Sequence, residues 1–277
     1  MKNIRQILLK ARRQIIGDRI GNNPSLFRGE GYDFIELREY VYGDDTRHID
    51  WNVTAKSQKP FVKVFREERE LNVVSVAMLS GSMQFGIEQL KIETMAEIVA
   101  LLGYSAVGNG DLFSHLNYSE AYINEVRPTK KHFVIERSVQ SLIEQPLLNH
   151  SVQISTIAQD LYRRIKRRSL IVLIGDFFEV PDLRLLSRKH EVVAVIVRDR
   201  FEEAPKALGF TSLLDPETGA VLEGNFTEKV MKQYHNKIKK HDLALYERLT
   251  KDNVRFGKIY TGARPIVGLR RLFEGKL

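Results

Sequence analysis

The sequence contains no cysteine among its 277 residues. A chain without thiols forms no disulfide framework, no thiolate zinc site and no cysteine nucleophile. This composition is compatible with a reducing compartment, and we expect a cytoplasmic protein. Long apolar runs are missing as well, because residues 170–174 and 192–197 fall far short of the roughly 20 that a membrane-spanning helix needs. We therefore predict no transmembrane segment.

Several motifs of common enzymes are also missing. The sequence has no Gly-x-x-x-x-Gly-Lys-Ser/Thr phosphate loop, so any work done by ATP has to come from a partner. The seven histidines never adopt the His-Glu-x-x-His spacing of zinc enzymes. Gly-x-Ser-x-Gly, which marks a hydrolase nucleophile, does not occur around Ser80 and Ser82. We predict that the chain is not an enzyme.

Positive charge is in excess, with a formal net charge of +8 and a pI near 9.5. Such a balance favours contact with nucleic acid, anionic lipid or an acidic protein surface. Basic residues concentrate in two stretches, Lys229, Lys232, Lys237, Lys239 and Lys240 in the first, and Arg163, Arg164, Lys166, Arg167 and Arg168 in the second. Because charge runs on helices are usually solvated faces, a nucleic-acid-binding protein is only the alternative interpretation.

The first 16 residues place apolar side chains at helical intervals, with basic residues mostly between them. A basic amphipathic helix can lie on an anionic membrane surface. Packing on its own domain is the commoner arrangement, and we expect it here.

From residue 71 onward, short β-branched runs alternate with longer helical ones, which is typical of parallel strands joined by crossover helices. Strands are predicted at 73–79, which should be buried, at 169–175, which is the most hydrophobic, and at 192–197 and 255–260. Segments 111–117 and 121–126 are joined too tightly for a parallel crossover and should pair as a hairpin, which makes the second an antiparallel edge strand. The sequence predicts an α/β fold with a doubly wound, mostly parallel sheet.

Two additions to this sheet are predicted. A turn at Asp215-Pro216-Glu217-Thr218-Gly219 indicates a β-hairpin insertion at about 205–224. Residues 1–70 differ in composition and are interpreted as a separate N-terminal extension, followed by the main domain at 71–277.

That extension contains a long run of charged and aromatic residues: Gly-Glu-Gly-Tyr-Asp-Phe at 29–34, Leu-Arg-Glu-Tyr at 37–40 and Gly-Asp-Asp-Thr-Arg-His-Ile-Asp-Trp at 43–51. Together with Ser-Gly-Ser-Met at 80–83 and Gly-Asp-Phe at 175–177, this run resembles the bacterial domain-of-unknown-function family 58. The resemblance implies a von Willebrand factor A-like domain. It also implies a non-catalytic adaptor that acts with a MoxR-type AAA+ ATPase in the maturation or assembly of client complexes.

The resemblance further implies a metal-ion-dependent adhesion site. Von Willebrand factor A-like domains hold a divalent ion with Asp-x-Ser-x-Ser after the first strand, and here Met78 replaces the aspartate before Ser80 and Ser82. Thr156 and Asp176 complete the implied ligand set. A thioether removes both the charge and the oxygen that Mg²⁺ prefers, so we expect no cofactor or weakly bound Mg²⁺. An acidic side chain of a partner would complete the site, through an ion or by direct hydrogen bonds.

Two alternatives remain open at the sequence level. Ser80, Ser82 and Asp176 could form a hydrogen-bonded strand-end turn, with Met78 filling core space. The charged run in the extension could be a clasp, in which Asp33, Arg38, Asp44, Asp45, Arg47 and Asp50 pair internally to hold the segment on the main domain. It could also be a docking surface for the ATPase through Asp44, Asp45 and Arg47.

Overall fold

The computed structural model describes residues 4–20, 34–65 and 70–274. Its strands are β1 Phe34–Glu39, β2 Phe61–Phe65, β3 Asn72–Met78, β4 Leu112–Tyr118, β5 Tyr122–Thr129, β6 Leu170–Gly175, β7 Glu191–Arg198, β8 Gly209–Leu214, β9 Val221–Phe226 and β10 Arg255–Tyr260. Its helices are α1 Ile4–Ile20, α2 Trp51–Ser57, α3 Lys91–Gly108, α4 Phe133–Ile143, α5 Ile154–Arg164, α6 Arg184–Lys189, α7 Arg200–Glu203, α8 Glu228–Lys251 and α9 Pro265–Glu274. Within these ranges, no helix has the length and apolar character needed to cross a membrane.

A six-stranded sheet in the order β10-β7-β6-β3-β4-β5 forms the centre of the larger part of the chain. All neighbouring strands are parallel except β4 and β5, which pair antiparallel. Starting from β3, the chain first adds β4 and β5 on one side of this strand. It then adds β6, β7 and β10 on the other side. The predicted α/β fold, with a mostly parallel sheet and one antiparallel edge strand, is confirmed.

Helices cover both faces of this sheet and enclose two apolar cores. One core contains buried side chains of α1, α3, α4 and α9, and the other contains those of α5, α6 and α8. Strand side chains alternate between these cores, with Val73 and Ala77 in the first and Val74 and Val76 in the second. This alternation is the period of two expected of a strand that is buried on both faces.

Helix α1 packs on α3, as expected for the amphipathic N-terminal segment. Ile7 and Ala11 of α1 lie in the same core as α3, of which 16 of the 18 residues are buried. Lys10 also donates a hydrogen bond of 2.7 Å to the buried carboxylate of Glu97 in α3. Helix α3 is therefore enclosed between the sheet and an outer helical layer.

The contacts divide the chain into a unit of Met1–Phe27 with Leu71–Leu277 and a unit of Arg28–Glu70. In the second, smaller unit, β1 and β2 pair antiparallel. The sequence-based division grouped all of residues 1–70, whereas the contacts group α1 with the larger unit.

Strands β8 and β9 form the predicted hairpin insertion, as a two-stranded antiparallel sheet apart from the central one. Its turn is organised by Asp215, whose carboxylate accepts hydrogen bonds from the Glu217 amide at 2.9 Å and the Thr218 hydroxyl at 2.6 Å. Gly219 closes the turn with a φ of +71°, a left-handed conformation that glycine adopts without strain.

Candidate functional site

The candidate site lies where β3 and β6 end. These strands are parallel neighbours, with Ala77 opposite Ile174, so their carboxyl ends meet at one edge of the sheet. Ser80 and Ser82 follow β3 and are buried, and their hydroxyl oxygens lie 2.7 Å apart in a hydrogen bond. The Ser82 hydroxyl donates a hydrogen bond to Asp176, which follows β6. The structure therefore brings together three of the four residues implied as metal ligands.

Lys91, which sequence reasoning missed, contributes the positive charge of this cluster. It is the first residue of α3, and its side chain is fully buried. Its ammonium group lies 3.3 Å from the Asp176 carboxylate and 2.5 Å from the carboxylate of Glu202 in α7. Burial raises the pKa of Glu202, although the neighbouring ammonium group acts in the opposite direction. We call Ser80, Ser82, Lys91, Asp176 and Glu202 the strand-end cluster.

This donor set does not fit a divalent ion. Asp176 already accepts hydrogen bonds from Ser82 and Lys91, and the ammonium group supplies the charge that a metal ion would bring. Across the described ranges, no group of three or more histidine, aspartate or glutamate side chains could hold a metal ion. In this cluster the Lys91 ammonium group pairs with both the Asp176 and the Glu202 carboxylates instead.

Met78 fills core space at the end of β3. Its side chain is 3% exposed and belongs to the apolar core that includes Leu173 and Phe177. A Cβ atom placed on Gly175 would come within 2.6 Å of the Met78 Cε atom, so the thioether lies directly against the glycine backbone. Met78 therefore has the packing role that the sequence left open.

Thr156, the fourth implied ligand, makes different contacts. Its side chain is exposed near the start of α5, and its hydroxyl donates a hydrogen bond of 3.3 Å to the side-chain oxygen of Gln153. The loop after β6 reaches this helix through Glu179, which accepts a hydrogen bond of 2.7 Å from the Ile154 amide. The hydrogen bonds of Thr156 in the described structure do not join it to the strand-end cluster.

The turn of the β8–β9 hairpin lies directly on the Ser80-Gly81-Ser82 segment. A Cβ atom on Gly81 would be only 2.0 Å from the carbonyl oxygen of Pro216, so glycine is needed for this approach. The same carbonyl accepts a hydrogen bond of 2.9 Å from the Asn149 amide. The Gly81 amide donates to the His150 carbonyl at 2.8 Å, which fixes the segment from the other side.

Glu217, in the same turn, brings a further carboxyl group to the Ser80-Gly81-Ser82 segment. Burial raises the pKa of Glu217, and Asp176 adds to that effect, whereas a hydrogen-bonding interaction with the Ser80 hydroxyl and the charge of Lys91 oppose it. The Glu217 backbone nitrogen would be 2.9 Å from a Cβ atom on Gly81, so Glu217 lies beside the Ser80-Gly81-Ser82 segment, in an environment that does not favour its ionised form. Sequence reasoning identified the turn around Glu217 but not its contact with the cluster.

A second polar cluster lies beyond the ends of β7 and β10. The buried Asp199 carboxylate accepts hydrogen bonds from the amides of Ile87 and Phe201, at 3.2 and 2.8 Å, and from the Thr261 hydroxyl at 2.5 Å. A neighbouring cavity of about 520 Å³ is lined in part by Asp199, Arg200 and Thr261. Because these donors occupy the carboxylate, we interpret Asp199 as a group that joins loops at the sheet edge.

In the smaller unit, the charged residues pair with one another. Arg38 binds Asp44 through two hydrogen bonds of 2.8 and 2.7 Å, and Arg47 binds Asp45 through a bond of 2.6 Å and two longer ones. Hydrogen bonds from these arginines lower the pKa of both aspartates. Planar guanidinium groups suit such two-point binding of carboxylates.

Asp50 also acts within this unit. It accepts hydrogen bonds from the amides of Asn52 and Val53 at the start of α2 and forms an ion pair of 2.9 Å with Lys63. Asp33 lies outside the described residues. The pairing is thus internal to the unit, while a clasp on the main domain and a docking surface for a partner both remain predictions.

Comparison with known proteins gives one family and several uncharacterised relatives. A family model described as "Protein of unknown function DUF58" matches residues 36–244. Uncharacterized protein Rv1480 of Mycobacterium tuberculosis is 28% identical over 228 residues, which cover 79% of this chain and 72% of that protein. Uncharacterized protein Mb1516 of Mycobacterium bovis shows the same values.

Two solved structures show a weaker similarity. The conserved hypothetical protein BatB from Bacteroides thetaiotaomicron has a TM-score of 0.40 and 14% identity, over 66% of this chain and 98% of that chain. An aerotolerance-related membrane protein from Bacteroides fragilis has a TM-score of 0.40 and 12% identity, over the same shares of the two chains. Similarity at this level does not establish a shared fold or a shared role.

Proposed function

This chain belongs to the DUF58 family of proteins of unknown function, and on that premise we propose that it is a non-catalytic, protein-binding adaptor. Its binding face is the strand-end cluster, and the group that it receives is an acidic side chain of a partner. We further propose that the partner is a MoxR-type AAA+ ATPase, with which the chain acts in the cytoplasm on the maturation or assembly of client complexes.

The observation that carries this proposal is the approach of the chain's own Glu217 to the cluster. A Cβ atom placed on Gly81 would be 2.9 Å from the Glu217 backbone nitrogen, so this acidic residue lies directly beside the Ser80-Gly81-Ser82 segment. The Lys91 ammonium group has three N–H donors, of which Asp176 and Glu202 take two, and the Ser80 hydroxyl can turn its single proton from Ser82 to a carboxylate. A partner's aspartate or glutamate in the same position would find the same donors.

The metal requirement of this binding differs from that of an intact adhesion site. Von Willebrand factor A-like domains, which this chain resembles in sequence, bind an acidic side chain through a divalent ion. In this chain the buried Lys91 ammonium group supplies positive charge next to Asp176 without an ion. We therefore propose a degenerate metal site whose binding does not depend on Mg²⁺.

The ATPase is proposed from the family resemblance and from the lack of a phosphate loop in the sequence. A tagged copy should retain a MoxR-type ATPase from native lysate equally well in Mg²⁺ and in EDTA, as identified by mass spectrometry. Ser80→Ala should weaken this capture by removing a hydroxyl donor, whereas the exposed Ser151→Ala serves as the matched control. Capture that is unchanged by Ser80→Ala would show that the strand-end cluster is not the binding face.

A second candidate function rests on the surface of α8. Between Glu228 and Asp242 this helix carries five lysines and no acidic residue, and all five lysines are exposed. Such a surface could bind nucleic acid, in which case the logarithm of the affinity should fall steeply with the logarithm of the salt concentration. A shallow salt dependence measured with duplex DNA and with RNA would dismiss this candidate.

A further inference from the structure

The β8–β9 hairpin buries little of its own surface. Of its strand residues only Phe226 is buried, while Phe210, Leu214, Val221 and Leu222 are each at least 60% exposed. A two-stranded hairpin is at best marginally stable in isolation. Contacts outside its strands must therefore contribute to its position, and the turn at 215–219 provides such contacts.

These turn contacts are directed at the strand-end cluster and at the loop beside it. Pro216 lies on the Gly81 backbone and accepts a hydrogen bond from the Asn149 amide. Gly219 lies close to the same loop, because a Cβ atom on it would be 3.1 Å from the Asn149 side-chain oxygen. Glu217 lies at Gly81 as well, because its backbone nitrogen would be 2.9 Å from a Cβ atom on that glycine. The turn thus covers the face that the proposed function assigns to a partner.

We infer that the turn at 215–219 is an intramolecular ligand of the strand-end cluster, and that Glu217 takes the place of the partner's acidic side chain. This inference rests on the proposed function, since it specifies how access to the same face is controlled. A partner binds by displacing the turn, and the hairpin, which carries few buried side chains, moves away with it.

The electrostatics of the site suit such an exchange. Burial and Asp176 both raise the pKa of Glu217, so the ionised form of its side chain is disfavoured where the turn holds it. When a partner's carboxylate replaces that of Glu217, the number of charges around Lys91 stays the same. The exchange therefore requires no net change of charge at a buried site, and further contacts of the partner can decide its outcome.

The first test measures how firmly the turn is held, by hydrogen exchange and mass spectrometry on the full chain. Gly81→Ala places a methyl group where Pro216 lies, so we expect amides of the hairpin to exchange about tenfold faster or more, as for loss of one hydrogen bond. Gly224→Ala is the matched control in the same hairpin, because its Cβ atom would meet only the edge of Phe226, at 4.0 Å. Unchanged protection of the hairpin in Gly81→Ala would overturn the inference.

The second test asks whether the vacated face accepts the same group from outside, and it uses Glu217→Ala, which leaves Gly81 and Ser80 intact. The probe is a fluorescein-labelled peptide with the sequence of residues 213–222, and binding is measured by fluorescence anisotropy. We expect it to bind Glu217→Ala about tenfold more tightly than the unaltered chain, as for one hydrogen bond to a charged group. A peptide with alanine in place of its glutamate should lose this preference.

Equal binding of the peptide to both chains, or binding to neither, would overturn the inference. Both tests work without a partner, so they fail or succeed separately from the capture of the ATPase. If the peptide discriminates between the chains while no ATPase is captured, the internal ligand stands and the proposed partner does not.

Discussion

Replacing Lys91 by methionine removes the positive charge of the strand-end cluster while keeping a long apolar side chain. The change leaves Asp176 and Glu202 as neighbouring carboxylates, with side chains only 13% and 11% exposed. Removing one partner of a buried ion pair typically destabilises a protein by about 3–5 kcal/mol, because the remaining charge is left unpaired. Since whole domains are stable by about 5–15 kcal/mol, the expected loss in Lys91→Met is a large fraction of the total.

The assay is urea denaturation at pH 7, followed by circular dichroism, with two comparison variants. Lys59→Met is the control, because its ion pair with Glu39 is exposed to solvent and such surface pairs contribute little to stability. Lys91→Met combined with Glu202→Gln should recover part of the loss, since one unpaired carboxylate is removed. A free energy of unfolding for Lys91→Met within about 1 kcal/mol of the unaltered chain would refute the assignment of Lys91 as the charge that holds the cluster.

Three further predictions concern other parts of the chain. Met78→Asp should lower the free energy of unfolding by about 2–5 kcal/mol, as for truncation of a core methionine. Addition of 10 mM Mg²⁺ should not restore the melting temperature of this variant. Full restoration would contradict the view that the donors of the strand-end cluster do not fit a metal ion. Burial lowers the pKa of His115 to about 4, so the free energy of unfolding should fall by up to about 3 kcal/mol as the pH drops from about 6.5 to 4. In His115→Gln, the free energy of unfolding measured with urea should change less over this pH range. Asp44→Asn should speed hydrogen exchange in residues 36–63 and leave the central sheet unchanged, whereas faster exchange in β3 would argue against a pairing internal to the smaller unit.

His115 binds a proton less readily in the folded chain than in the unfolded chain. His115 is fully buried between Ser75 and Asn117, whose hydrogen bonds favour the charged form less than burial disfavours it. The unfolded chain therefore takes up a proton at a higher pH than the folded chain does. Stability that is present above about pH 6.5 is lost as the pH falls toward 4.

Much of the fold could be predicted from local patterns. The apolar runs that became β3, β6 and β7 differ clearly from the helical segments between them, and the Pro and Gly of the turn at 215–219 mark the hairpin. The meeting of Ser80, Ser82 and Asp176 was also predictable, because neighbouring parallel strands end at the same edge of a sheet.

The parts of the site that sequence reasoning missed depend on contacts between distant positions. Lys91 lies 85 residues from Asp176 and 111 from Glu202, so no spacing along the chain links it to its partners. A lysine at the start of a largely apolar helix was the available signal, since a buried charge requires a partner. The family resemblance implied Thr156 as a ligand, whereas in the structure its hydroxyl donates a hydrogen bond to Gln153.

The packing of α1 on α3 has a consequence for the order of events during synthesis. Lys10 and Glu97 are 87 residues apart, so at about 5–20 residues per second α1 leaves the ribosome about 4–17 s before its partner is made. During this interval the basic, amphipathic helix has no apolar surface of α3 to cover. Docking of α1 must therefore wait until α3 has been made, although the β6, β7 and β10 strands of the central sheet are made later still.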